Sequence, residues 1–271
     1  MNPLSISPCV ERSEMLCPGP ALELAMLLGL PDRLPDKDAA LPPLWHWMYL
    51  PERPNRADLG EDGLPIHGSL VPSPSTGSRR LLAGGTVELV SALRIGHSAT
   101  RRSVVAGRQT KAGRSGRLVF TTIVHEIVQN GRICIRERQD VVDVPPRSAG
   151  AGEQGDRPTE VIGPDLIEVS IDPVVLFRFS AAAGVSHRIH WDEKYAQEVE
   201  GYPGLVVQGP LQTILMAEGL RTRRQQTPRA LDYRYLAPLI ANRRMFICWN
   251  GAEAYVQDGT GRRTAWARVR D

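Results

Sequence analysis

Apolar and polar side chains alternate through the middle of the chain. In GRLVFTTIVHEIVQNG (residues 116–131) and RICIRERQDVVDV (132–144), Val, Ile and Thr recur with a partial period of two, which predicts strands. TVELVSALRI (86–95) and RRSVVAGRQTKAG (101–113) share that β-type composition. The break GRSG and the dipeptide Asn130-Gly131 separate the runs as hairpin turns would, so an antiparallel meander is expected over 81–144. Upstream, PALELAMLLGL (20–30) has a helix-forming composition and is followed by Pro31, which predicts one short helix. Residues 31–80 carry repeated prolines and glycines and read as an ordered but irregular wrap.

Residues 145–158, PPRSAGAGEQGDRP, combine Pro, Gly and charge without periodicity, the composition of a surface linker. The chain therefore divides into a first domain at 1–148, a linker at 149–160 and a second domain at 161–271. The second domain opens with DLIEVSIDPVVLFRFSAAAG, a strand and then a short helix for which Asp172 and Pro173 are a plausible start. A Gly-Pro turn precedes an apolar helix of about a dozen residues from Pro210, proline being tolerated in a first turn. Strands with turns at Asn250-Gly251 and Asp258-Gly259 close the chain. An apolar helix followed by an antiparallel sheet long enough to wrap it predicts a hot-dog fold of the α+β class.

Composition narrows the function classes. The 271 residues are 42% hydrophobic and 23% charged, as in soluble globular proteins. With 33 basic against 30 acidic side chains and a net charge of +3, no nucleic-acid partner is expected. The longest apolar run falls far short of the roughly 18 residues of a spanning helix, and the N-terminus lacks the features of a secretory signal. No membrane association and a cytoplasmic location are expected. Cys9, Cys17, Cys134 and Cys248 form no CxxC pair, so reduced thiols are expected in place of zinc ligands or disulfides.

The segment FSAAAGVSHRIHWDEKYA (179–196) places His187 and His190 three apart in a chain with six histidines. No third and fourth ligand of suitable spacing accompanies them, so a metal site is not expected. Asp192 suits two roles: orienting an imidazole, or capping the short helix EKYAQEV. Trp45, His46, Trp47 and His67 in the first half read as core.

Followed by EGYPGLVVQGPL, that histidine segment resembles the motif of MaoC-like acyl-thioester hydratases. The likeness is to the branch with two fused hot-dog domains, which includes mesaconyl-C4-CoA and itaconyl-CoA hydratases and is similar to mitochondrial hydroxyacyl-thioester dehydratases of type 2. LWHWMYLPE, GEDGLPIHGSLVPSP, RRLLAGGTVEL and KAGRSGRLVFTTIVHEI extend it from about residue 20 to the C-terminus. The resemblance implies a double hot-dog, each domain an antiparallel sheet around a central helix, with a first domain that lacks the catalytic motif and shapes the acyl pocket. It implies reversible hydration of a short branched dicarboxylic enoyl-CoA, by a homodimer, without metal or redox cofactor.

Carried onto this chain, the resemblance makes His190 the proton-transfer group, with His187 or Asp192 supplying a second function and the Gly209 N–H polarising the thioester oxygen. Val207 is expected at the substrate site, Arg188 or Arg80 on the second carboxylate, and Arg243 and Arg244 on the CoA phosphates. One departure stands out. The commonest motif has an aspartate five residues before the histidine, and here that position is Val185, which neither accepts nor delivers a proton. A 3-hydroxyacyl-thioester dehydratase of fatty-acid metabolism, a non-catalytic acyl-CoA-binding protein and a thioesterase are the alternatives.

Overall fold

Residue alternation along GRLVFTTIVHEIVQ becomes an inward face of Thr121, Ile123, His125, Ile127 and Gln129, all buried, on one long strand. The computed structural model describes residues 9–30, 36–67, 70–75, 77–113, 116–146, 163, 165–224 and 228–270. The linker expected at 149–160 lies outside the described residues. The first half contains β1 (Val10–Met15), α1 (Pro18–Leu27), β2 (Arg79–Leu89), β3 (Ser98–Gly113), β4 (Gly116–Gln129) and β5 (Arg132–Val144). The second contains β6 (Leu166–Val169), α2 (Pro173–Ala183), α3 (Glu193–Glu198), α4 (Gly209–Arg224), β7 (Ala230–Tyr235), β8 (Met245–Asn250), β9 (Glu253–Asp258) and β10 (Arg263–Arg270).

All strands join one ten-stranded sheet in the order β1-β3-β4-β5-β2-β7-β10-β9-β8-β6. Each half follows the same internal order, first-third-fourth-fifth-second, and the two meet where β2 pairs antiparallel with β7, Gly84–Glu88 against Arg234–Ala230. This repeated topology is the double hot-dog expected from the sequence. α4 is the central helix of the second half and buries Leu211, Ile214 and Leu220. Between α1 and β2 the described residues hold two 3₁₀ turns and isolated bridges, and the Trp45–Met48 turn buries Trp45, His46 and Met48. Trp45 Nε1 donates to Glu218 Oε1 of α4 at 2.8 Å, so the turn packs on the other half's helix. One continuous apolar cluster includes Trp45, Val87 and Ile127 with Leu211, Ile214 and Trp249. Full burial of a Leu or Ile contributes about 1.5–3 kcal/mol each, so the halves stabilise one another.

Three elements differ from the sequence reading. The strand expected at 86–95 spans Arg79–Leu89, because RRLLAGG pairs with β5 across a bulge between Leu82 and Gly84. Leu93 and Ile95 are buried, yet Arg94 between them makes only an isolated bridge to Ala40. VERSEM forms β1 despite its polar composition, since edge pairing with β3 satisfies its backbone. α4 begins one residue early, at Gly209, and runs for 16 residues.

Candidate active site

The segment between α2 and α4 is irregular, and its shape comes from caps and from the opposite half. Asp172 caps α2 by accepting from Val175 N at 2.9 Å, and Gly184 ends that helix in the left-handed region. A 3₁₀ turn at Arg188–His190 then leads into α3. Residues 61–63 of the first half grip this loop. Ser186 Oγ donates to Gly63 O at 2.8 Å, Arg188 N to Asp62 O at 2.8 Å and Arg188 Nη1 to Glu61 O at 3.1 Å. Gly63 has φ +84°, and a Cβ there would collide with the Ser186 carbonyl. The GEDG phrase is thus the brace for the histidine loop.

His190 is buried, and its Nδ1 lies 2.7 Å from the Val206 carbonyl. A carbonyl only accepts, so Nδ1 carries the proton and Nε2 keeps its lone pair, with no partner among the described residues. The His187 ring stands edge-on to it, centroids 5.5 Å apart. Both histidines line a cleft of about 570 Å³ between the halves, together with Val185, Val207, Gln208 and Gly209. Burial, then the neighbouring His187, pull His190 down to about 3, and burial, then Arg79, pull His187 down to about 4. Both imidazoles are therefore neutral across the physiological range.

This sets an expectation for pH. With an ordinary histidine near 6.5, kcat/KM of a base-dependent reaction would fall below neutrality; here the acid limb is expected below about pH 5. Stability follows the same sign. The unfolded chain takes up protons on these histidines first, so their contribution is present above about 6.5 and is lost as pH falls toward 4 and then 3. An acid limb centred between 6 and 7 would contradict the buried, neutral pair.

Gly209 opens α4 at the cleft wall, and Pro210 beside it has no N–H, which leaves the Gly209 N–H as a donor of the first turn. A Cβ on Gly209 would lie 2.6 Å from the Tyr235 ring, whose hydroxyl is 2.8 Å from Thr213 Oγ1. Gln208 Nε2 donates to Leu176 O at 3.0 Å and Ser180 Oγ at 2.9 Å, tying α2 to the start of α4. Neutral base, apolar wall and helix N-terminus thus share one cavity, the arrangement needed to deprotonate water beside a carbonyl oxygen that gains charge.

Several residues singled out by sequence sit elsewhere or are already engaged. Asp192 does not touch either imidazole: Oδ1 accepts from Tyr195 N at 3.0 Å as the cap of α3, and Oδ2 binds Arg188 at 2.6 and 3.1 Å. Those bonds, first the Tyr195 N–H and then Arg188, hold its carboxyl below the usual range. Arg188, committed to that pair and stacked 4.1 Å over the Tyr195 ring, is absent from the cleft wall. Arg80 does line the cleft, but its guanidinium is bidentate on Asp143 at 2.8 and 3.2 Å. Arg243 and Arg244 are exposed just before β8, outside the cleft, with Arg244 paired to Glu168 at 2.8 and 3.0 Å. Val207 is at the wall as expected.

The first half contributes polar groups that the sequence reading passed over. Glu137, on the inward face of β5, accepts from Trp47 Nε1 at 2.8 Å and Gln139 Nε2 at 2.7 Å and lies 3.1 Å from His46 Nε2. Burial alone would raise its pKa; His46, His125 and Gln139 together outweigh this and hold it near 2. His46 and Trp47, read as core, are core and cleft wall at once, and Arg101 joins them there. The signal was available: His125, Gln129 and Glu137 occupy inward positions of otherwise apolar alternation. Among the described residues no group of three or more His, Cys, Asp or Glu could hold a metal ion, and no helix is long and apolar enough to cross a membrane.

Comparison with known proteins bears on the family and the fold. The family profile described as hydroxyacyl-thioester dehydratase type 2 matches residues 44–241. The mesaconyl-C(4)-CoA hydratase of Chloroflexus aurantiacus is 40% identical over 227 residues, covering 83% of this chain and 80% of that protein. The crystal structure of HtdX from Mycobacterium tuberculosis superposes with a TM-score of 0.67 over 97% of this chain and 99% of that one, at 14% identity. A second Mycobacterium tuberculosis protein, described as having a double hot-dog fold, superposes with a TM-score of 0.61 at 11% identity, over 98% and 96% of the two chains.

Proposed function

The chain belongs to the hydroxyacyl-thioester dehydratase type 2 family, and from that footing we propose that it is an acyl-CoA hydratase for a short branched dicarboxylic enoyl-CoA, with mesaconyl-C4-CoA as first substrate and itaconyl-CoA as second. The observation that carries the reading is His190, its Nδ1 tied to Val206 O and its Nε2 without a partner among the described residues, in one cleft with the Gly209 N–H. In this reading His190 Nε2 takes a proton from water while the hydroxyl bonds to the β-carbon of the enoyl thioester. The π pair moves toward the thioester carbonyl, where the Gly209 N–H stabilises the enolate oxygen. The proton held on His190 then passes to the α-carbon, which balances the addition of one water and leaves the imidazole neutral. His187 completes the wall and gives that proton a second polar neighbour.

Val185 is part of the reading and not an obstacle to it. A neutral imidazole can accept and return a single proton without a carboxylate, and burial keeps His190 neutral. The first domain, 1–148, supplies the acyl pocket and the second, 161–271, the reacting groups. The rival reading, a dehydratase of long 3-hydroxyacyl thioesters, calls for an apolar far end, whereas this cleft carries Arg101, His46 and Glu137.

A homodimer in the cytoplasm completes the reading; sedimentation at the mass of one chain would remove the dimer. Loss of enoyl-thioester absorbance with mesaconyl-C4-CoA, itaconyl-CoA and crotonyl-CoA tests the activity. We expect turnover of a dicarboxylic substrate at least tenfold more efficient than that of crotonyl-CoA, the scale on which sites that answer a polar group discriminate. Equal or poorer turnover of the dicarboxylic thioesters would remove the substrate class, and no turnover of any would remove the activity.

A further inference from the structure

The cleft carries charged side chains from the first half as well. Arg101 stands on β3 between Ala99 and Ser103, both buried, and lines the cleft from the first half. Its Nε is buried without a hydrogen-bond partner, and among the described residues no carboxylate forms an ion pair with its guanidinium. The carboxylates around it are already engaged. Glu137 is held by His46, Trp47 and Gln139, Glu52 pairs with Arg12 at 3.4 Å, and Glu14 Oε1 accepts from Leu50 N at 2.6 Å. Arg12 adds a like charge nearby. The Glu52, Glu137 and Glu14 carboxylates favour its charged form from a distance, yet none forms a direct ion pair with it, so its donors are available to a carboxylate that enters the cleft.

The other cations near the cleft have partners of their own: Arg80 with Asp143, Arg188 with Asp192, Arg79 with Glu200 at 3.2 Å. On the same cleft, His46 Nδ1 is also buried and without a hydrogen-bond partner among the described residues. Aromatic rings pack between Gly209 and Glu137, with Trp47 and Tyr235 on the cleft and Tyr233 buried behind them. Tyr235 abuts Gly209, Tyr233 lies 5.6 Å from Tyr235, Trp47 lies 5.5 Å from Tyr233, and Trp47 bonds Glu137.

We propose that Arg101 determines the acyl specificity of this cleft, its guanidinium forming an ion pair with a carboxylate that the acyl group carries away from its thioester. The assignment rests on the dicarboxylic hydratase reading and transfers to Arg101 the task that the sequence pattern gave to Arg188 or Arg80. Guanidinium suits it because its planar donors match a carboxylate two by two.

The test compares two matched pairs, mesaconyl-C4-CoA against crotonyl-CoA and dehydroadipyl-CoA against hexenoyl-CoA, in the wild type, Arg101→Gln and Arg101→Lys. Arg101→Gln is expected to lower kcat/KM for at least one dicarboxylic member by about a hundredfold, the scale for removing one partner of a desolvated charge pair. The loss should appear in KM, since this contact is the same in ground and transition states. The uncharged members are expected to stay within about threefold, which also reports that the variant is folded; Arg101→Lys should fall between. A wild type that prefers the dicarboxylic members and an Arg101→Gln that keeps the preference would overturn the assignment alone. A wild type without the preference would overturn the substrate reading and the assignment with it. Equal loss on charged and uncharged members would make Arg101 a structural support and overturn its role in recognition.

Discussion

Replacing His190 is expected to lower kcat/KM for hydration by about 10²–10⁴-fold, the range for a positioned general acid or base. The expectation rests on the absence of a substitute. Val185 cannot move a proton, both oxygens of Asp192 are engaged by Tyr195 N and Arg188, and His187 has no hydrogen bond to orient it among the described residues. His190→Ala would also leave the buried Val206 carbonyl without its donor, at a cost of about 1–3 kcal/mol. His190→Asn separates the two effects, because its amide N–H can still serve Val206 O while offering no base. Steady-state hydration by both variants, read beside their melting temperatures, is the measurement. A His190→Asn enzyme within tenfold of wild type would remove His190 from the chemistry.

Gly209→Ala is expected to cost about 10²–10³-fold in kcat, the scale for losing one donor to a developing oxyanion. The added methyl would meet the Tyr235 ring at 2.6 Å, and that ring is held by the Thr213 hydroxyl and by Tyr233. The start of α4 must shift, and the N–H shifts with it. Because charge on the thioester oxygen grows only toward the transition state, kcat should carry the loss and KM should change little. Adding Tyr235→Ala to the Gly209→Ala chain removes the clash. Recovery of a large part of the activity would identify displacement of the N–H as the cause, whereas an undisturbed Gly209→Ala enzyme would show that this donor is not used.

The engaged arginines show why sequence alone does not rank the cations near the cleft. Arg188 and Asp192 are four apart in the motif, which puts them on adjacent turns, and they satisfy one another as Asp192 caps α3. Arg80 lies at the start of β2, and its partner Asp143 is its cross-strand neighbour near the end of β5. Nothing local distinguishes these from Arg101, whose isolation follows from which side chains β4, β5 and the 41–67 segment bring beside it.

Local pattern by itself determined much of this protein. Period-two alternation set β3, β4 and β5; Asp172 and Gly184 bounded α2, and the apolar run after Gly209 made α4. These features act through neighbours in the chain, so a linear reading contains their causes. The pairing of His187 with His190, and Gly209 at a helix start, were legible for the same reason. Tertiary structure alone decided the join of β2 to β7, the brace of Gly63 on Ser186, the bond from His190 Nδ1 to Val206 O, and a cleft walled by both halves with Arg101 among its lining. Each depends on groups far apart in sequence competing for the same donor, acceptor or volume, and only folding settles which partner wins.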